Sequence, residues 1–122
     1  MARTAITTAA IKDLTTRYPV LPLVATSQDI TFDAGDASSG HKFPLTGKEI
    51  LVAKNTGAGA RTVTVKSVAD AHQRTGDFGA YSVGAGKVAM FLIPVDGFLQ
   101  ADGQCYVDVE HAEMTLAVIR FP

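Results

Sequence analysis

The sequence predicts an all-β domain, an antiparallel β-sandwich or jelly-roll-like barrel of about eight short strands, with an extended N-terminal arm. Three observations support this fold class. From Glu49 onward, polar and apolar residues alternate with a period of two, as they do in half-buried strands. Turn residues interrupt the alternation at intervals of about 8–12 residues, which is typical of sandwiches and barrels. Helical apolar spacing is weak throughout, so no long helix is expected.

The first residues differ in composition from the rest of the chain. The stretch MARTAITTAAIKDLTTRYP (1–19) is rich in alanine and threonine, and its threonine pairs oppose a stable helix. Pro19 and Pro22 favour extended backbone at its end. We therefore divide the chain into an N-terminal arm, residues 1–19, and a single β-sandwich domain, residues 20–122. We expect the arm to be able to add a strand to a sheet edge of a neighbouring molecule.

The first half of the body contains three short extended pieces and one strong strand. The short pieces are VLPLVA (20–25), DITFD (29–33) and HKFPLTG (41–47). A proline interrupts the first of them, which favours an edge position. The strong strand is EILVAKN (49–55). Its run Ile50–Ala53 is apolar on both faces, and this predicts a central position in a sheet.

The second half of the body has a more regular succession of strands and turns. In TVTVKSV (62–68), Val63 and Val65 point to one side and the intervening residues to the other. The later strands are FGAYSV (78–83), VAMFLIPV (88–95), CYVDVE (105–110) and MTLAVIRF (114–121). The Asp-Gly pair at 102–103 predicts a hairpin that joins Phe98–Leu99 to CYVDVE.

Composition narrows the classes of partner. The chain has 122 residues, a net charge of -1 and one cysteine. A nearly neutral chain has no basic field to attract nucleic acid or anionic lipid. Its longest apolar run, Val88–Val95, is too short to span a bilayer as a helix, and the N-terminus lacks the continuous apolar stretch of a signal peptide. We therefore expect no nucleic-acid or membrane partner, synthesis in a reducing cytoplasm, and a buried free thiol at Cys105.

Candidate residues for metal binding and catalysis form weak patterns. The densest cluster of possible metal ligands is Asp29, Asp33, Asp36 and His41. Its spacing fits neither a calcium loop nor a zinc site, and aspartates that cap a turn are the simpler interpretation. Gly84–Lys87 lacks the preceding glycine and the following helix of a phosphate-binding loop. A small hydrolase that uses His41 with Ser38 or Ser39 stays an alternative. We expect no catalytic residue, no cofactor and no metal site.

Several stretches of the sequence resemble a group of short proteins from the structural modules of tailed bacteriophages. They are MARTAIT (1–7), EILVAKNTGAGARTVTVKSVADAHQRTGD (49–77), ADGQCYVDVE (101–110) and LAVIRFP (116–122). The resemblance implies a virion component without catalysis, most like a capsid decoration (cement) protein on the capsid exterior. It also implies two partners, the major capsid protein and further copies of the chain, with a trimer as the favoured assembly. A carbohydrate-binding β-module on a virion surface and a tail or head–tail joining protein are the alternatives.

The resemblance also directs attention to residues that can make contacts between molecules. A decoration protein needs a rigid body, a nearly neutral surface and an arm that becomes ordered on its neighbour. The candidate residues for capsid or subunit contacts are Arg3, Ile6, Ile11, Leu14, Arg17, Tyr18, Phe91 and Ile93. The last two belong to an apolar strand, and we expect its second face either to meet another subunit or to lie in a thick core.

Overall fold

A computed structural model describes residues 2–11 and 30–121 of the chain. Within these ranges the chain forms nine strands and no helix. The strands are β1 Thr4–Ala5, β2 Thr8–Ala10, β3 His41–Pro44, β4 Glu49–Asn55, β5 Arg61–Val65, β6 Phe78–Val83, β7 Val88–Leu92, β8 Gln104–Val109 and β9 Met114–Arg120. The predicted strand VLPLVA lies outside the described residues.

The strands form two sheets that enclose one core. One sheet has five strands in the order β1-β3-β8-β5-β6, and the other has four in the order β2-β9-β4-β7. This arrangement confirms the predicted all-β sandwich, and the described strands form two open sheets instead of a closed barrel. Both sheets are mixed, because β1 runs parallel to β3 and β2 runs parallel to β9. Parallel pairing needs a long connection, and long stretches of chain separate both pairs of strands.

The core consists of side chains on the inward-facing side of the central strands. Leu51 and Ala53 of β4 are fully buried in it, as is Val65 of β5. Other fully buried apolar side chains are Phe43, Val107, Met114, Leu116 and Val118. Because β4 lies between β9 and β7, the predicted central position of Ile50–Ala53 is confirmed. The alternation in TVTVKSV also predicts correctly that Val63 and Val65 of β5 enter the core.

Residues 2–11, here called the N-terminal segment, lie along one side of both sheets. Strand β1 covers the edge of β3, and strand β2 covers the edge of β9. Ile6 stands between the two strands, is 4% exposed and belongs to the core. The described part of the predicted arm thus pairs with its own domain. Residues 12–19 of that arm lie outside the described residues, so the division into arm and body stays a prediction.

The predicted hairpin before β8 is wrong, although its turn is present. Gly103 has a φ of 82°, and Gln100 N donates to Gln104 O at 2.8 Å. However, Phe98 and Leu99 lie in a turn and do not form a strand. Both side chains pack against the core, so tertiary packing overrides the local hairpin signal. The partners of β8 are β3 and β5 instead.

The predicted strand DITFD is also wrong over its described residues. Only Asp33 pairs, in an isolated antiparallel bridge to Leu116 of β9. Ile30 is exposed, and the Phe32 ring lies 5.7 Å from the Lys54 ammonium. The segment therefore contributes one bridge to the sheet instead of a strand.

The single cysteine gives a simple test of the core. Cys105 of β8 is fully buried, and burial raises the pKa of its thiol to about 12. The thiolate is the reactive form, so the native protein is expected not to react with a thiol reagent at mildly alkaline pH. The same reagent should titrate one thiol per chain in denaturant. Rapid reaction under native conditions would contradict the position of β8 inside the sandwich.

Candidate docking surface

Most of the exposed large apolar side chains among residues 2–11 and 30–121 lie where the two sheets end, on the side away from the N-terminal segment. Strands β6 and β7 follow one another in the chain, and each is the outermost strand of its sheet. Their exposed apolar side chains are Phe78, Tyr81, Val88, Met90 and Leu92, here called the β6–β7 face. Met90 and Leu92 are 69% and 67% exposed, which is unusual for two large apolar residues on one strand.

An aromatic cluster joins the two edge strands. The rings of Phe78 and Tyr81 on β6 are stacked with their centroids 6.2 Å apart. Phe91 on β7 meets both edge-on, at 5.1 Å from Phe78 and 5.3 Å from Tyr81. These distances fall in the range preferred by aromatic pairs. The cluster therefore fixes the position of β6 relative to β7 and gives the face a defined shape.

A shallow groove of about 340 Å³ runs beside this cluster. It is lined by Phe78, Met90–Pro94 and Phe98. Every lining residue is apolar. A groove of this kind can receive apolar side chains of another molecule, whereas a catalytic pocket also needs convergent polar groups.

The β6–β7 face carries almost no charge. Residues 78–95 include one charged side chain, Lys87 in the turn between the strands, and Asp77 and Asp96 flank the stretch. Edge strands of monomeric proteins are usually protected by charges, prolines or bulges. The pairing of β6 with β5 has an irregularity between Val63 and Val65, but the pairing of β7 with β4 is regular. Strand β7 is therefore an edge without protection among the described residues.

The opposite side of the sandwich is closed by polar contacts of the N-terminal segment. Arg3 forms an ion pair of 2.6 Å with Asp108, and its guanidinium lies 4.4 Å from the Tyr106 ring centre. Gly40 makes room for this pair, because a Cβ there would lie 2.5 Å from both Arg3 Nη1 and Asp108 Oδ1. Its φ of 76° also favours glycine.

Two aspartates from the turn-rich loop hold the rest of the N-terminal segment. Asp36 accepts a hydrogen bond from Thr4 Oγ1 at 2.6 Å. Asp33 accepts hydrogen bonds from Thr7 N at 2.5 Å and from Thr7 Oγ1 at 3.1 Å. Asp33 and Asp36 of the acidic cluster considered as possible metal ligands therefore fasten the N-terminal segment, whereas Asp29 lies outside the described residues. No group of three or more possible metal ligands converges anywhere in residues 2–11 and 30–121.

His41 is placed as a structural residue. It is fully buried, and its Nε2 accepts a hydrogen bond from Asp36 N at 2.8 Å. Burial lowers the pKa of His41, which keeps the imidazole neutral. Ser38 Oγ donates to Asp36 Oδ1 at 3.0 Å. Because Nε2 accepts this hydrogen bond, it is the unprotonated nitrogen, and the buried Nδ1, which has no hydrogen-bond partner among the described residues, carries the proton. The nitrogen that could take a serine proton in a hydrolase is therefore already engaged with Asp36 N.

The contacts of Asp36 predict sensitivity to acid. Hydrogen bonds from Thr4, Ser39 and Ser38 lower the pKa of Asp36 from 3.8 to about 2. A carboxyl with a lowered pKa stabilises the folded state above its ordinary pKa, and this stability is lost as the pH falls through the folded pKa. The free energy of unfolding is therefore expected to decrease between pH 3.8 and about 2.

Denaturant titrations over this pH range check the prediction, with Asp36→Asn as the comparison. The variant should be less stable near neutral pH and should show a shallower decrease in acid. Some decrease should remain, because the pKa values of Glu49, Asp70 and Asp77 are lowered as well. Identical pH profiles for the two proteins would show that Asp36 does not hold the N-terminal segment.

The candidate interface residues chosen from the sequence have different positions in the structure. Arg3 is engaged in its ion pair, while Ile6 and Ile93 are each 4% exposed and lie in the core. Phe91 is half-buried in the aromatic cluster, and Ile11 is 37% exposed. Leu14, Arg17 and Tyr18 lie outside the described residues. Only Phe91 and Ile93 are next to the β6–β7 face.

The choice of Phe91 and Ile93 as contact residues falls one step of the strand period away from the exposed residues of β7. Phe91 turns inward from β7, whereas Val88, Met90 and Leu92 turn outward. Side chains alternate between the two faces of a strand, so a shift of one residue exchanges them. The signal available in the sequence is the continuous apolar run itself, which supplies apolar residues to both faces but does not say which face is covered.

Comparisons of the chain with protein-family models, with curated proteins and with solved structures found no match. The part of the chain that the structure describes also has no helix long and apolar enough to cross a membrane.

Proposed function

We propose that the chain is a structural virion protein that decorates and stabilises a bacteriophage capsid by binding the lattice of the major capsid protein, without catalysis. The observation that carries this proposal is the exposed and nearly uncharged β6–β7 face. The sequence resemblance to small virion proteins supplies the particular role. Capsid decoration requires contacts with other protein molecules, and an exposed apolar surface with free strand edges suits such contacts.

The energetics of the β6–β7 face favour a protein partner. Burying one large apolar side chain contributes about 1.5–3 kcal/mol. Met90 and Leu92 are mostly exposed to water, so a partner that covers them would gain most of this free energy. Lys87 is the only charged residue within 78–95, so a partner would bury little charge on covering the face. Desolvation would therefore oppose binding only weakly.

Several polar groups elsewhere in the described structure hold its loops and strand ends in place. Asp33, Asp36 and Asp108 fasten the N-terminal segment, and Asp77 forms an ion pair of 2.8 Å with Lys66. Glu113 pairs with Arg61 at 3.0 Å. These contacts hold loops and strand ends in place. Such a body is suited to present a fixed surface to a shell of repeated subunits.

Binding to capsids tests the proposed function. Capsids of the phage that encodes the chain would be stripped of it under mild conditions and mixed with the purified protein. We expect saturable co-sedimentation and a higher melting temperature of the reconstituted capsids. Electron microscopy of the particles then separates decoration from the alternative role, because a joining protein would lie only at the tail vertex. Absence of the chain from sedimented capsids would refute the proposal.

The stacked rings of Phe78 and Tyr81 also suit a second candidate, a carbohydrate-binding β-module. Both are more than 40% exposed, and sugar rings can pack on exposed aromatic faces. A glycan array distinguishes the two candidates. Specific glycan hits that disappear in Tyr81→Ala would favour the carbohydrate-binding role, and an array without hits would favour the structural one.

A further inference from the structure

We propose that the β6–β7 face is an interface between two copies of this chain, with β7 of one copy antiparallel to β7 of the other around a two-fold axis near Met90. In this arrangement the four-stranded sheet of one copy continues into that of its partner. The inference shares the docking face with the proposed function and rests on it only in that respect. Two copies can pair in solution whether or not the chain binds a capsid.

Some strand edges of the two sheets are covered by the chain itself, and the edge of β7 is not covered by any described residue. The chain covers two strand edges with its own residues, since β1 lies along β3 and β2 along β9. On the other side, β7 has no neighbour beyond β4 among the described residues. It is regular over Val88–Leu92 and contains neither proline nor charge. Such an edge readily pairs with another strand unless something protects it.

A second copy of β7 fits the free edge of β7. A partner must be extended, apolar and nearly uncharged, and β7 itself has these properties. An antiparallel pair centred on Met90 places Val88 of each copy opposite Leu92 of the other. Met90 then meets its own counterpart at the axis. Exposed side chains that are now solvated would pack as cross-strand pairs, each worth about 0.2–1 kcal/mol beyond the main-chain bonds.

The charge next to β7 favours an antiparallel pair of strands over a parallel pair. Lys87 precedes β7 and is exposed. A parallel arrangement would place the two Lys87 ammonium groups side by side, which is unfavourable. The antiparallel arrangement separates them to opposite ends of the paired strands. The chain as a whole has a net charge of -1, so little repulsion opposes association of two copies.

Sedimentation equilibrium of the full chain gives the first test. The unmodified protein should associate as a dimer, and Met90→Asp should raise its dissociation constant by about 100-fold because two carboxylates would meet at the axis. Ala58→Asp is the matched control, since Ala58 is exposed in the turn after β4 and the substitution adds the same charge at a residue that is not part of the β6–β7 face. Circular dichroism and unfolding midpoints establish that both variants fold.

Disulfide formation gives the second test and fixes the geometry. Paired residues in antiparallel strands have Cα atoms about 4.5–5.5 Å apart, a separation that a disulfide spans. Met90→Cys should therefore form covalent dimers under mild oxidation. Ala58→Cys should form many fewer, and the native Cys105 is buried and should not interfere.

The outcomes separate this inference from the proposed function. A monomer at all accessible concentrations, association that Met90→Asp leaves unchanged, or equal cross-linking by Met90→Cys and Ala58→Cys would overturn it. A trimer in which Met90→Cys does not cross-link would overturn it too. A dimer with efficient Met90→Cys cross-linking supports it, even if the chain then fails to bind capsids and the proposed function is refuted.

Discussion

Replacing Glu49 with alanine is expected to lower the free energy of unfolding by about 2–4 kcal/mol, because a fully buried carboxylate that accepts several hydrogen bonds is lost. Glu49 opens β4, and its side chain is fully buried. Its carboxylate accepts a hydrogen bond from Arg120 Nε at 2.6 Å. Arg120 ends β9, so this contact ties together the ends of two adjacent strands of the four-stranded sheet.

The same carboxylate organises the turn that leads into β4. Its Oε1 accepts from the backbone amides of Thr46, Gly47 and Lys48 at 2.7, 3.1 and 3.2 Å, and its Oε2 accepts from Thr46 Oγ1 at 2.7 Å. Burial opposes ionisation, but hydrogen bonds from Thr46 and Arg120 hold the pKa of Glu49 below its ordinary value. An alanine would leave all these donors without their acceptor, and each one that stays buried costs about 1–3 kcal/mol.

Urea denaturation measures the loss, and Glu110→Ala serves as the control. Glu110 is an exposed glutamate that accepts one backbone hydrogen bond, from Thr62 N at 2.8 Å. Its removal is expected to cost less than about 1 kcal/mol. Glu49→Gln keeps the shape of the side chain and should fall between the two. Equal unfolding midpoints for Glu49→Ala and Glu110→Ala would show that Glu49 does not hold the turn.

Glu49 illustrates why part of the fold was predictable and part was not. The strand that begins at Glu49 was evident because four consecutive apolar residues follow within a short segment, and alternation in TVTVKSV marked the neighbouring strand equally well. Nothing local marks the partnership of Glu49 with Arg120, since 71 residues separate them. Contacts between strand ends depend on sheet order, and sheet order is set by long-range packing that local patterns do not encode.

The N-terminal segment shows a different limit. Alanine and threonine gave it the composition of a loose arm, and the acidic loop at 33–41 had the composition of a turn. Each interpretation is reasonable by itself. The structure brings them together, because the carboxylates of Asp33 and Asp36 bond to Thr7 and Thr4. Neither the N-terminal segment nor the acidic loop predicts this contact by its own sequence. The hydrogen bonds between them explain why both are polar.

The docking surface was predictable in kind but not in detail. The apolar run at 88–95 indicated that one strand offers more apolar surface than a single core needs. The phase of that strand decides which residues face water, and it follows from pairing with β4. The contributions of Phe78 and Tyr81 depend on β6 and β7 being edges on the same side of the sandwich. The proximity of β6 and β7 follows from the order of strands in the two sheets, and the sequence of neither strand indicates it.

The burial of Ile6 predicts a large effect within the segment that seemed least important for folding. Ile6→Ala is expected to lower the free energy of unfolding by about 2–5 kcal/mol, because an isoleucine in a packed core leaves a cavity when truncated. Ile6 is 4% exposed and lies between the strands that cover the edges of β3 and β9. Deleting residues 1–18 should be more damaging still, since it also uncovers both edges.

Ile11→Ala is the matched control for Ile6→Ala, because the same substitution is made in the same segment at a residue that is 37% exposed. We expect it to cost less than about 1 kcal/mol. Denaturant titration compares the two variants, and amide hydrogen exchange in β3 and β9 reports whether the edges become exposed. If Ile6→Ala were as mild as Ile11→Ala and exchange at both edges were unchanged, residues 2–11 would act as a dispensable arm. A large difference would instead mean that residues 2–11 are a folded part of the domain that covers two strand edges. Deletion of this segment would then impair folding, so a loss of capsid binding in the deleted protein could not be assigned to the segment alone.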